Sequence, residues 1–220
     1  MKTSPRIVLL HATPVAMQPI LMAMQRHWPD AEVVNLLDDG LSIDRAREGD
    51  ELSESLLNRF VEFGRYGRST GADGILATCS AFGPAIDQLE KILDIPVLRP
   101  NEAMFRAAIA SGNRIGMLAT FKPAVGTMVA EFEDYAQASS AKLETYVVPE
   151  AIDLIKAGNV EAHNHLVVEA APLFADKDAI MLAHFSTSCA LEAVKARVSC
   201  PVFAAPDAAV LRMRELVCAS

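Results

Sequence analysis

One stretch of this chain occurs twice. Asp73–Ala103 reads DGILATCSAFGPAIDQLEKILDIPVLRPNEA, and Asp178–Ala208 reads DAIMLAHFSTSCALEAVKARVSCPVFAAPDA. The two align without a gap over 31 positions, each residue 105 from its counterpart. Asp73 meets Asp178, Ile75 meets Ile180, Leu89 meets Val194 and Pro96 meets Pro201. Earlier in each half, RIVLL at Arg6 matches RIGML at Arg114, 108 residues on. A match of this length that includes both copies of the turn proline is read as a duplication. The chain is then two copies of one strand–helix unit, not one long sheet.

Short aliphatic runs alternate with longer helical patterns along both halves. Strands are expected at Arg6–Leu10, Glu32–Leu36, Asp73–Thr78 and Ile95–Leu98, then at Arg114–Ala119, Leu143–Val148, Asp178–Ala183 and Pro201–Ala204. Helical spacing covers Pro14–His27 and Glu51–Arg68, the latter with Leu52, Leu56, Phe60 and Phe63 on one face. It recurs over Pro84–Leu93, from the Arg114 strand to about Gln137, and over Glu150–Ala157 and Glu161–Phe174. Cys189–Val198 and Asp207–Val217 complete it. The acidic stretch Asp38–Gly49 reads as a flexible loop. Strand–helix alternation predicts α/β lobes with mainly parallel sheets covered by helices. Residues 1–98 with 206–220 are expected in the first lobe and 99–205 in the second, because the second copy ends near Ala208 and leaves the last helix unpaired.

Composition removes several functions. Twenty Lys and Arg against 28 Asp and Glu give a net charge of −8. That argues against nucleic acid or an anionic membrane as partner. No apolar run is long enough to span a bilayer. The run IVLL stops at His11 and Pro14, too short for a signal-peptide core, so the cytoplasm is the default expectation. Four cysteines, at 79, 189, 200 and 218, are too few for a disulfide framework and lack zinc-site spacing. No glycine-rich phosphate loop is present, and no lysine stands in a context that suggests a Schiff base. His163 and His165, two apart on a helix, make a poor metal pair. No metal or cofactor is expected.

Ligands of parallel α/β sheets sit beyond the carboxyl ends of the strands. Four such ends carry polar chemistry: His11-Ala12-Thr13, Cys79-Ser80-Ala81, Thr120-Phe121-Lys122 and His184-Phe185-Ser186-Thr187-Ser188-Cys189. The run GADGILATCSAFG at the second of these resembles the first cysteine motif of the aspartate/glutamate racemase superfamily. That superfamily includes glutamate, aspartate and hydantoin racemases, maleate isomerase and arylmalonate decarboxylase. NRIGMLAT at Asn113–Thr120 resembles its mid-chain strand and threonine turn.

The resemblance implies two pseudo-symmetric lobes with the active site in the cleft between them, and a homodimer. It implies cofactor-independent chemistry on a small carboxylate substrate, in which two thiols face one carbon from opposite lobes. A free thiol has a pKa near ~8.5, and a helix N-terminus lowers it. Cys79 precedes such a helix, so it is expected to be thiolate-prone and catalytic. His11, Thr13, Ser80, Ala81, Thr120, Phe185, Ser186 and Thr187 are the expected substrate-binding set, as donors to a carboxylate or enediolate or as strand-end lining.

The chain departs from that pattern at the second thiol. His184 stands at the repeat position of Cys79, and Cys189 at that of Pro84. Three alternatives are open. His184 is the second acid/base, with a near-neutral pKa; Cys189 is, favoured by its helix start; or Cys79 works alone. A pair points to a racemase or isomerase. A single cysteine points to a decarboxylase-like carbon–carbon lyase, and loss of both to a small-molecule-binding relative.

Overall fold

A computed structural model describes residues 4–48 and 52–219. Two four-stranded parallel sheets form its framework. In the first half, β1 (Arg6–His11), α1 (Met17–His27), β2 (Glu32–Leu37), α2 (Gly40–Arg45) and α3 (Glu54–Ser69) are followed by β3 (Gly74–Ala77), α4 (Gly83–Ile92) and β4 (Val97–Leu98). The second half continues with α5 (Glu102–Ser111), β5 (Arg114–Ala119), α6 (Val125–Ala136), β6 (Lys142–Val147), α7 (Ala151–Lys156) and α8 (Val160–Ala170). It closes with β7 (Ala179–Leu182), α9 (Leu191–Lys195), β8 (Val202–Ala204) and α10 (Ala205–Cys218). The strand orders are β2-β1-β3-β4 and β6-β5-β7-β8, the same topology twice. In each, the first strand sits between its second and third, with Leu10 opposite Ala77 and Leu118 opposite Leu182.

The chain divides into two compact units, residues 1–101 with 209–220, and residues 102–208. The helix after each fourth strand contributes to the other unit. α5 packs on β7, β8 and α6, while Met213 of α10 is fully buried against Gly74 of β3. Sequence reading missed α5, although the repeat carried it: moving Asp207–Val217 back by 105 gives 102–112. Its buried side chains are Ala103, Met104, Phe105 and Ala108, an amphipathic spacing.

Apolar burial explains the strands. Ile7 to Leu10 and Ala179 to Leu182 are fully buried, as continuous runs in a sheet covered on both faces should be. In the first unit Phe60 of α3 stacks on Phe82 with centroids 4.8 Å apart. Close helix packing needs Gly64: a Cβ there would come within 2.3 Å of Leu89 Cδ1 on α4. In the second unit Leu118, Val167, Phe174, Ile180 and Leu182 form the corresponding core.

Two local expectations are corrected. The stretch read as a loop from Asp38 holds α2, because Leu41 is fully buried in the core and Arg59 of α3 grips both ends of it. Gly49 and Glu51, read into that loop and the next helix, lie outside the described residues. Cys189 does not open an α-helix: it belongs to a 3-10 turn, Phe185–Ala190, and α9 begins at Leu191. Among the described residues, no helix is long and apolar enough to cross a membrane.

Candidate active site

In each sheet, the connection from the second strand to the third passes over the first, so the strand order reverses between the first and third strands, which stay parallel. The carboxyl ends at such a switch point are where parallel sheets bind ligands. Here those ends are His11 and Cys79 in the first unit, and Thr120 and His184 in the second.

Cys79 leaves β3 in extended conformation and caps a 3-10 turn, Ser80–Phe82, that runs into α4. It is half-buried against the core. Burial pushes its thiol up, which corrects the expectation of a thiolate-prone group. The Ala81 N–H and the positive charge of Arg45 pull the other way without reversing the shift. Arg45 is the last residue of α2. It went unread at sequence level because it lay in a presumed loop.

The end of β1 is tied to the end of β3. His11 is fully buried; its Nδ1 lies 2.9 Å from Thr78 Oγ1 and its Nε2 2.9 Å from Asn35 Oδ1. Burial lowers its pKa, against the Asn35 hydrogen bond, so the ring is neutral. With Asn35 presenting its carbonyl oxygen, the ring donates from Nε2, and its Nδ1 meets the Thr78 hydroxyl, which also reaches the Leu10 carbonyl at 3.2 Å. Both nitrogens are therefore engaged inside the unit. His11 braces the residue before Cys79. Thr13 is half-buried, and its hydroxyl does not cap the turn that follows.

The second unit repeats this plan with different chemistry. His184 leaves β7 and caps the Phe185–Ala190 turn. Its φ of 67° and ψ of 148° are strained for a residue with a Cβ, and such strain gathers at functional positions. Burial pushes its pKa down to about 4, away from the near-neutral value expected. Its Nε2 is buried and meets no hydrogen-bonding group among the described residues. Phe121 packs edge-on to the imidazole with centroids 6.3 Å apart, and Lys156 Nζ lies 5.6 Å from the Phe121 centroid. Thr120 and Thr187 are buried, with hydroxyls 3.2 Å apart. Phe185 is buried, and Ser186 is half-buried with its carbonyl turned toward Cys189.

Cys189 is exposed. Its sulfur meets Asn164 Oδ1 at 2.9 Å, the Ser186 carbonyl at 3.0 Å and His163 Nδ1 at 3.5 Å. In the sequence His163 reads only as half of a poor metal pair with His165. No signal in the linear sequence links it to Cys189, 26 residues away. Among the described residues, no group of three or more His, Cys, Asp or Glu side chains is arranged to hold a metal ion.

A thiol and an imidazole thus stand at equivalent strand ends of a duplicated parallel α/β unit. The family model for Asp/Glu/hydantoin racemases matches residues 11–171, and the chain belongs to that family. No curated protein sequence matches it. Solved structures share its fold at low identity. Picrophilus torridus aspartate racemase matches with a TM-score of 0.75 and 15% identity, over 97% of this chain and 94% of that one. Allantoin racemase from Klebsiella pneumoniae matches with a TM-score of 0.71 and 19% identity, over 98% and 89%. The Gly74Cys mutant of arylmalonate decarboxylase matches with a TM-score of 0.72 and 16% identity, over 97% and 93%.

Proposed function

We propose that this chain is a cofactor-independent racemase or isomerase that moves a proton at the carbon next to a carboxylate, with Cys79 and His184 as its two acid/base groups. The observation that carries this reading is their equivalence: each is the residue that leaves the third strand of its sheet and caps the turn beyond it. The resting protonation states fit two-base chemistry. Burial keeps Cys79 as a thiol, and a pKa of about 4 keeps His184 neutral near pH 7. The imidazole takes the α-proton, and the thiol delivers one to the other face. The reverse direction starts from the thiolate and the imidazolium.

The charge that such a step builds up needs stabilisation. Arg45, whose charge acts on Cys79, and Lys156, beside the Phe121 ring, are cations that would stabilise a carboxylate or enediolate. Thr120 and Thr187 already bond each other, so their role is to hold the strand end in shape. Ser80 and the Ala81 N–H remain the polar groups at Cys79. A small carboxylate as substrate, the cytoplasm as its place and a homodimer as the assembly complete the proposal.

One observation favours a second reading. An imidazole with a pKa of about 4 is a weak base for a carbon acid. A decarboxylase needs no such base: loss of carbon dioxide makes the carbanion, and the Cys79 thiol protonates it. Incubating small chiral carboxylates and arylmalonates with the protein in heavy water separates the two. Exchange of the α-hydrogen with loss of optical purity supports the racemase, and carbon dioxide release supports the lyase. Binding with neither reaction, by this protein and every substrate in the set, would reject both in favour of a non-catalytic relative.

A further inference from the structure

The side chains that tie β1 to β3 just ahead of Cys79 have no polar counterpart in the second unit. The β1–β3 ladder ends with Leu10 opposite Ala77. One residue on, the Thr78 N–H reaches the Leu10 carbonyl at 3.0 Å, and side chains then take over. The Thr78 hydroxyl stands 2.9 Å from His11 Nδ1 and 3.2 Å from that carbonyl, and His11 Nε2 meets Asn35 Oδ1 at 2.9 Å. The β5–β7 ladder ends likewise, with Leu118 opposite Leu182, and the Ala183 N–H reaches the Leu118 carbonyl at 2.9 Å. There Ala119 takes the place of His11 and Ala183 that of Thr78, both fully buried, so neither side chain can add a bond. Thr145, opposite Met117, takes the place of Asn35, opposite Leu9.

The same sheet therefore closes without the polar trio. His11 and Thr78 are buried and lose their water on folding, and their hydrogen bonds do little more than offset that loss. Two alanines fill the same places in the other copy. Folding alone gives no reason for the trio, but its distribution does: it stands in the unit whose third strand leads to the thiol. The two exits differ accordingly. Beyond Thr78, Cys79 leaves extended at φ −130°, and its sulfur feels the Ala81 N–H. Beyond Ala183, His184 leaves at φ 67°. Both nitrogens of His11 are engaged, so its influence on the site runs through Thr78.

We propose that His11, acting with Asn35 and Thr78, is a positioning residue for Cys79: the three side chains clamp the end of β3 to β1, so that the thiol leaves in the extended geometry its proton transfer needs. The proposal rests on the reading of Cys79 as an acid/base group. In this role His11 touches neither the sulfur nor the substrate. Releasing the clamp lets the strand end shift, and a displacement of about 1 Å at a reacting group costs on the order of 10²-fold in rate. It also admits water to a sulfur whose upward shift comes chiefly from burial. The two consequences have opposite signs. Turnover falls, while alkylation of Cys79 becomes faster and extends to lower pH.

Two measurements on the intact chain test this. One is kcat and KM for an accepted carboxylate. The other is the iodoacetamide alkylation rate of each cysteine from neutral to alkaline pH, read by peptide mass spectrometry. Thr78→Val keeps the side-chain shape and removes the hydroxyl, whereas Thr78→Ser keeps the hydroxyl. A triple variant, His11→Ala with Asn35→Thr and Thr78→Ala, gives the first unit the residues of the second. Thr78→Val and the triple variant should lower kcat about tenfold to 100-fold, with KM within about twofold of wild type. They should alkylate at Cys79 at least about threefold faster, with the pH profile moved downward. Alkylation of Cys189 and Cys200 and the thermal unfolding midpoint should stay at their wild-type values, and Thr78→Ser should behave as wild type throughout. An unmoved Cys79 profile in Thr78→Val would overturn the proposal, as would Thr78→Ser as impaired as Thr78→Val. So would a triple variant that unfolds or exposes every cysteine alike, because the clamp would then serve the fold. The alkylation measurement needs no substrate. If wild type turns over no carboxylate, the acid/base reading of Cys79 fails, and the Cys79 profiles still decide whether the clamp positions the thiol.

Discussion

Cys79 and His184 hold the same position in two copies of one folding unit. Each leaves the third strand of a parallel sheet ordered second-first-third-fourth, and each caps a 3-10 turn. The difference between them lies in the backbone as well as the side chain. Cys79 is extended at φ −130°, whereas His184 sits at φ 67°. The second unit thus places an imidazole where the first places a thiol, and it accepts local strain to do so.

Stability should depend on pH through His184. Its pKa is about 4 when folded, against an ordinary value of 6.5. The unfolded chain therefore binds a proton that the native state refuses between those two values. Stability contributed by the neutral ring is complete above about pH 6.5 and is lost progressively down to about pH 4. The shift corresponds to about 3 kcal/mol at most. His11, also lowered by burial, acts in the same direction. Urea unfolding at pH 7 and pH 4.5 measures the loss, and His184→Asn should reduce it.

Arg59 should act on Cys79 without touching it. Its guanidinium bonds Asp38 through Nε at 2.9 Å and Nη2 at 2.6 Å, and Asp44 through Nη1 at 2.8 Å. It thereby holds α2, which carries Arg45. Arg59→Met should loosen α2, weaken the influence of Arg45 and move the pH profile of Cys79 alkylation upward. Arg59→Lys should rescue it poorly, because an ammonium lacks the planar fork. The stability change should stay within about 1 kcal/mol, since these ion pairs are partly exposed. An unmoved alkylation profile in Arg59→Met would remove this role. Gly40→Ala gives a milder version, with its Cβ 2.7 Å from Arg59 Nη2.

Packing of α3 on α4 supplies a purely structural prediction. Gly64→Ala puts a methyl 2.3 Å from Leu89 Cδ1 in a filled core. It should destabilise the protein by about 1–3 kcal/mol. Leu89→Ala in the same chain should recover part of that loss relative to the sum of the single changes. Thermal unfolding of the four variants of this cycle is the measurement.

Much of the fold was legible because its signal is local. Buried parallel strands read as continuous aliphatic runs, and the repeat at 105 residues forced two sheets. α2 escaped notice because six residues with one buried leucine do not make a periodic signal; Leu41 and the Arg59 ion pairs hold it. The equivalent positions of Cys79 and His184 were legible from the repeat. Their electrostatics were not. Proximity to a helix start suggested a lowered thiol pKa at Cys79, and burial outweighs it. A free histidine titrates near neutrality, and burial removes His184 from that range. The meeting of Cys189 with His163 and Asn164 depends on how α8 packs on a turn 26 residues later, which no spacing rule reports.

The most direct test of the account compares wild type, Cys79→Ala and His184→Asn by proton NMR in heavy water, following the α-proton and the optical purity of one accepted carboxylate. The account predicts exchange and racemisation in wild type, and loss of both in Cys79→Ala by about 10²–10⁴-fold. It predicts that His184→Asn stops racemisation, whatever residual exchange Cys79 supports on its own face. Racemisation at the wild-type rate in either variant, with the fold intact, would contradict it.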